Sequence, residues 1–166
     1  MSMSDPFEEF LAANEAYAAQ FENLNLEARA AKGLAVLTCM DSRIDPLSML
    51  GLERGDAKIL RNAGARVTDD VLRTLVLATY LLSVERVMVV AHTGCRMTIG
   101  SEGEMHEAIR NAGGPDTKSL SFLTSTDLRT SLIQDTERIK AYPYLPAIEV
   151  GGFIYDLETG MLERIA

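Results

Sequence analysis

Cysteine is scarce in this 166-residue chain: Cys39 and Cys95 are the only two. That excludes a disulfide scaffold of the kind that staples small secreted domains. In a reducing compartment two cysteines point instead to metal binding or catalysis. They do not form a C-x-x-C pair, which argues against a thiol redox centre. Basic residues are also short, 16 Lys and Arg against 24 Asp and Glu, for a net charge of −8. A nucleic-acid or anionic-membrane surface needs a basic patch, so neither is expected as a partner. A small anion stays open, because a local site can oppose the overall sign. No uninterrupted apolar run approaches the roughly 20 residues of a membrane helix. MSMSDPFEEFL is acidic and has no basic start before an apolar core, so we expect no signal peptide and a cytoplasmic location. Internal repeats and low-complexity segments are missing too.

What is present reads as one globular domain, residues 1–166, with 47% hydrophobic and 24% charged residues. PFEEFLAANEAYAAQFE, 6–22, carries Phe7, Phe10, Leu11, Ala18 and Phe21 at near-helical spacing and predicts an amphipathic N-terminal helical arm. LAVLTC, 34–39, AKIL, 57–60, and RVMVVA, 86–91, are short apolar runs of strand length. IDPLSMLG, 44–51, reads as a short helix closed by Gly51. DDVLRTLVLATYLLS, 69–83, is the clearest helix, capped by Thr68; apolar residues nearly encircle it, which predicts deep packing. Further helices are expected over 102–112 and about 125–141, with an irregular loop over 115–123. GGFIYDLETGMLERI reads as a terminal hairpin with Glu158, Thr159 and Gly160 in its turn. Strands alternating with helices imply an α/β fold: a central, mostly parallel sheet flanked by helices.

Cys39 closes one strand, and HTGC, 92–95, follows another directly. In a parallel sheet both segments emerge at the same carboxyl edge, where open α/β sheets bind ligands. Cys39, His92 and Cys95 can therefore meet there. Two thiolates and one imidazole suit zinc and leave its fourth tetrahedral position open, as in catalytic sites. On residues alone the alternative stands beside it: a buried inert Cys39 and a satisfied core His92 near an unrelated Cys95. Asp41 can fill the fourth position, or it can pair with Arg43 and accept a hydrogen bond from a zinc-bound water. A plain surface ion pair in a turn is the bland reading of those two.

C-M-D-S-R at 39–43 with H-T-G-C at 92–95 resembles the beta-class carbonic anhydrase family, whose pattern is C-x-D-x-R followed some fifty residues later by H-x-x-C. RNAGARVTDDVLRTL, 61–75, is similar to its small prokaryotic members. The resemblance implies the family's fold and a zinc lyase, carbonate dehydratase, with Cys39, His92 and Cys95 as ligands. It implies that Asp41 and Arg43 are the catalytic dyad, with Asp41 a conditional fourth ligand, and that Asn62, Ala63 and Gly64 shape the substrate pocket. The expected reaction is reversible hydration of carbon dioxide to bicarbonate and a proton by zinc-bound hydroxide. The resemblance also implies a homodimer or dimer of dimers, with the N-terminal helix packed on the partner.

Departures from the pattern keep rivals in view. Arg96 and Met97 follow the second cysteine where many members have glycine, and no residue matches the glutamine that helps hold substrate in plant-type members. Relatives of the family hydrolyse carbonyl sulfide or carbon disulfide with the same ligands, and a site closed by Asp41 would suit a non-catalytic zinc-binding regulator. His106, the only other histidine, reads as an exposed helical residue rather than a proton shuttle.

Overall fold

The run Leu34–Cys39 forms an interior strand, β1, and all six of its residues are buried. Such a run, apolar without alternation, is what a strand covered on both faces requires. β2 (Ala57–Asn62), β3 (Arg86–His92) and β4 (Glu149–Tyr155) join it in parallel, and β5 (Leu162–Arg164) returns antiparallel to β4. The sheet order is β2-β1-β3-β4-β5. The chain leaves β1 for one neighbour and then crosses to the other, so the order reverses between β1 and β3. The structure, a computed structural model, describes residues 5–166; the first four residues of MSMSDPFEEFL, part of the signal-peptide reading, lie outside them.

Among the described residues four α-helices complete the fold: α1 (Glu8–Ala18), α2 (Asp69–Leu81), α3 (Glu102–Asn111) and α4 (Leu128–Lys140). α2 and α4 cover one sheet face, setting Leu72, Leu75, Leu132 and Ile139 against Leu37 and Val89. α4 comes close to β4 because Gly152 has no side chain: a Cβ there would stand 3.0 Å from Thr136 Cγ2 and 3.1 Å from Leu132 Cγ. On the opposite face, Leu34, Val36 and Val90 pack against Met49, Leu50 and Leu52 from the β1–β2 connection and against neighbouring strand residues.

Four expectations need correction. Residues 44–51 do not form an α-helix; only a 3-10 turn, Ser48–Leu50, is present. The Asp45 carboxylate captures the Leu47 and Ser48 N–H groups (3.2 and 3.3 Å) and the Ser48 hydroxyl (2.6 Å), a local alternative to helix bonding. Gly51 does close the turn in the left-handed region, at φ 62°. The N-terminal helix is shorter than 6–22, and every residue of α1 is exposed. α2 starts at Thr68 as expected, with Thr68 Oγ1 accepting from Val71 N–H. It buries only Val71, Leu72, Leu75 and Ala78, and leaves Leu77, Tyr80 and Leu81 on an exposed stripe. The helix expected from about 125 begins at Leu128, because the Asp127 carboxylate caps Thr130 N–H at 3.0 Å.

Candidate metal centre

Cys39 is the last residue of β1 and His92 the last of β3, and these strands are neighbours. Cys95 returns through a tight turn in which Gly94 takes φ 63°. Thr93 fixes that turn to the end of β4: its N–H donates to Tyr155 O (3.0 Å), and its hydroxyl accepts from Leu157 N–H (3.0 Å). The donor atoms of Cys39, His92 and Cys95 all lie within 4.8 Å of one another, and all three residues are buried. The two sulfurs are 3.9 Å apart. Two sulfurs sharing a tetrahedral zinc at about 2.3 Å stand about 3.8 Å apart, so the spacing fits that ion.

The histidine supplies an independent test. Its Nδ1 faces the Thr93 carbonyl at 2.8 Å, and a carbonyl can only accept. The proton therefore sits on Nδ1, and Nε2 presents a lone pair. Nε2 is buried and has no hydrogen-bond partner among the described residues. An orphaned buried acceptor is costly unless something fills the role, and a metal held by these three donors would do so. Burial pushes the Cys95 thiol up to about 11, so at neutral pH it gives up its proton to solvent only when a metal cation takes the sulfur.

Asp41 and Arg43 form a forked pair at the mouth of this cluster. Arg43 Nε donates to Asp41 Oδ1 (2.9 Å), Nη2 to Oδ2 (2.7 Å), and the Arg43 backbone N–H to Oδ1 (3.0 Å). These bonds, the side-chain pair first, hold the Asp41 carboxyl well below the usual carboxylate range. Oδ2 stands 3.9 Å from His92 Nε2, beside the metal position. Arg43 is itself mostly exposed, and Met40 between Cys39 and Asp41 is 67% exposed, so this side of the cluster is open.

The other residues singled out from the sequence fall into place unevenly. Gly64 lines a cavity of about 20 Å³ beside His92 and Cys95, room for about one water. Asn62 spends its side chain on the backbone of Arg66 instead. Arg96 is exposed and, among the described residues, donates only to the Ile99 carbonyl, at 3.4 Å. His106 is half-buried rather than exposed: its Nδ1 meets Thr117 Oγ1 at 2.9 Å and its ring lies 5.3 Å from that of Phe122.

Two supports escaped the sequence reading. Arg61 donates from Nε to the Cys39 carbonyl (2.9 Å) and from Nη2 to the Asp41 carbonyl (2.6 Å). Arg66 pairs with Asp135 of α4, 69 residues away, at 2.6 Å. The signal available was the R-N-A-G-A-R stretch itself, with two arginines beside a strand end in an acidic chain.

An open parallel sheet with a Cys–His–Cys donor set at its carboxyl edge, and a carboxylate facing the remaining direction, defines an α/β zinc enzyme. The family model described as Carbonic anhydrase matches residues 34–162. The beta-carbonic anhydrase 1 of Mycobacterium tuberculosis is 33% identical over 162 residues, covering 95% of this chain and 96% of its own. The crystal structure of a carbonic anhydrase from Streptococcus mutans superposes with a TM-score of 0.90 at 36% identity over 100% of both chains. A carbon disulfide hydrolase of Acidithiobacillus thiooxidans is more distant, 28% identical over 78% of this chain and 75% of its own. The chain belongs to the beta-class carbonic anhydrase family.

Proposed function

We propose that the chain, working as one domain, hydrates carbon dioxide reversibly to bicarbonate and a proton. The observation that carries this is the free Nε2 of His92, set between two thiols and facing the Asp41–Arg43 pair. Cys39 Sγ, His92 Nε2 and Cys95 Sγ would hold zinc, which when bound would supply a Lewis acid that lowers the pKa of water from about 16 toward about 7.

Asp41 does the sorting. Held anionic by Arg43, its carboxylate can only accept a hydrogen bond. It receives an O–H and repels a bare oxyanion. A reacting oxygen that still carries one proton therefore points that proton at Asp41 and its lone pair at the carbon of the substrate. Bicarbonate keeps a hydroxyl and can make the same bond, so the residue that orients the nucleophile also orients the product. Arg43 fixes the pose through its fork, and Arg61 pins the backbone on either side of Met40. Gly64, with Asn62 and Ala63 in the same turn, shapes the wall beside the ligands.

The same reading makes the chain a cytoplasmic homodimer, or a dimer of dimers, with α1 laid on the partner. Its support is the apolar surface left exposed on and around α1: Phe7, Phe10, Leu11, Tyr17 and Phe21 are each at least 50% exposed. Among the described residues no helix is long and apolar enough to cross a membrane.

Stopped-flow hydration of carbon dioxide by protein carrying one zinc per chain tests the function. Turnover that disappears with chelator and returns with zinc is the expected result. A rate no higher than buffer with zinc in place would overturn it, and hydrolysis of carbon disulfide by the same sample would then reassign the substrate.

A further inference from the structure

β2 ends beside Cys39. Asn62 is the ladder partner of Cys39, and its carbonyl accepts from Met40 N–H at 2.9 Å. The chain then makes an unusual turn. Gly64 and Ala65 are both left-handed, at φ 79° and 57°. For alanine that conformation is strained, and it persists only where the surroundings over-determine it.

The surroundings here do. Asn62 closes the turn from inside: Oδ1 accepts from Arg66 N–H (2.9 Å) and Nδ2 donates to Arg66 O (2.7 Å). Arg66 anchors it from outside, donating from Nε to Asp135 Oδ2 (2.6 Å) and from Nη1 to Leu123 O (2.6 Å). Met97, two residues beyond Cys95, closes the far side; a Cβ on Gly64 would stand 3.1 Å from Met97 Cβ and Cγ. The product of these constraints is one directed group. The Gly64 N–H donates to Cys39 Sγ at 3.4 Å.

We propose that the turn Asn62–Arg66 is a support for the metal-bound thiolate, in which the Gly64 N–H draws charge from Cys39 Sγ and Asn62 is the positioning residue that aims it. Two thiolates donate heavily to a zinc ion and blunt it as a Lewis acid. A backbone donor on one sulfur removes part of that donation without removing the ligand, which is how partners of metal ligands tune a site. A backbone N–H suits the task because it cannot titrate. Its aim depends on the fold rather than on a rotamer. The glycine is required twice over, by its φ and by the contact with Met97.

The proposal rests on Cys39 ligating the metal, and one sample separates the two. Protein loaded with cadmium-113 and labelled with nitrogen-15 reports thiolate ligation through the cadmium chemical shift. It reports the hydrogen bond through scalar coupling between cadmium and the Gly64 amide proton. A thiolate-range shift with that coupling is the expected result. A thiolate-range shift without coupling to Gly64 overturns the proposal while leaving the ligand assignment intact. A shift outside the thiolate range overturns both. Asn62→Ala, loaded with cobalt, tests the positioning role: the thiolate-to-cobalt charge-transfer band should move to lower energy as the sulfur regains charge. Thr68→Ala, which removes the α2 cap, should lose stability and leave the band in place. An unmoved band in Asn62→Ala that retains its metal overturns the role given to Asn62. Should Asn62→Ala fail to fold, the cadmium coupling in the unaltered chain decides.

Discussion

Removing the Asp135 carboxylate should cost more stability than removing any exposed acid in the chain. Asp135→Ala leaves the Arg66 guanidinium, 17% exposed, with the Leu123 carbonyl as its remaining partner. The carboxylate itself is 8% exposed and takes two bonds from Arg66, at 2.6 and 3.4 Å. Water cannot replace it easily at that depth. Breaking a buried pair on one side costs about 3–5 kcal/mol, most of it the stranded charge. A chain of this size loses about 3 °C of melting temperature per kcal/mol, so a fall of about 9–15 °C is expected. The assay is calorimetry of zinc-loaded protein at fixed protein concentration, since bound metal and association both shift the midpoint. Two controls frame the result. Glu163→Gln breaks the exposed Arg129–Glu163 pair and should leave the midpoint in place, because solvent already screens that contact. Arg66→Met combined with Asp135→Leu strands no charge and should recover most of the loss. A fall below about 3 °C for Asp135→Ala, or a double variant no more stable than the single, would refute the reasoning.

Three further outcomes are expected. Asp41→Ala should keep one zinc per chain and lose about 100-fold or more in kcat/KM, the scale of a misplaced proton acceptor; loss of zinc alongside activity would make Asp41 an essential ligand instead. In zinc-stripped protein the Cys95 thiol stands at about 11 against an ordinary 9.0. A raised pKa gives stability that is intact below the ordinary value and lost as pH climbs through the folded one. The stripped protein's melting temperature should therefore decline between pH 9 and about 11, and Cys95→Ala should abolish that decline. Thr38→Val removes a fully buried hydroxyl that donates to Val90 O at 3.0 Å, tying β1 to β3 just before the ligands. It should cost about 1 kcal/mol by urea unfolding, and no change would mean the bond is dispensable.

The donor set was legible because each part is local. Cys39 and His92 sit where apolar runs stop, and the alternation of strands and helices puts those stops on one edge. The Asp41–Arg43 pair spans two residues and reads directly. What stayed hidden depends on distant or backbone groups. Nothing in R-N-A-G-A-R says that Arg66 will find Asp135, because an ion pair across 69 residues exists only once α4 is docked. The Gly64 N–H belongs to the backbone, and its aim is a matter of φ. Residues 44–51 misled for a different reason: their apolar spacing suits a helix, but Asp45 competes for the same N–H groups at close range. In α2, apolar residues all round suggested burial all round, and the structure buries one face.

The placement of the ligands on neighbouring strands has a consequence for unfolding. Cys39 and Cys95 are 56 residues apart, and the segment between them holds β2, α2 and β3. An ion bridging them ties that whole crossover into a closed loop, as a disulfide would, but with a clasp that acid or chelator can open. Shortening the free chain of the unfolded state in this way favours the folded one, and more so for a long loop. Metal-loaded protein should therefore open its crossover and its sheet edge together, in one late event. The stripped chain should let the strand ends fray first, beginning at the residues that carry the chemistry.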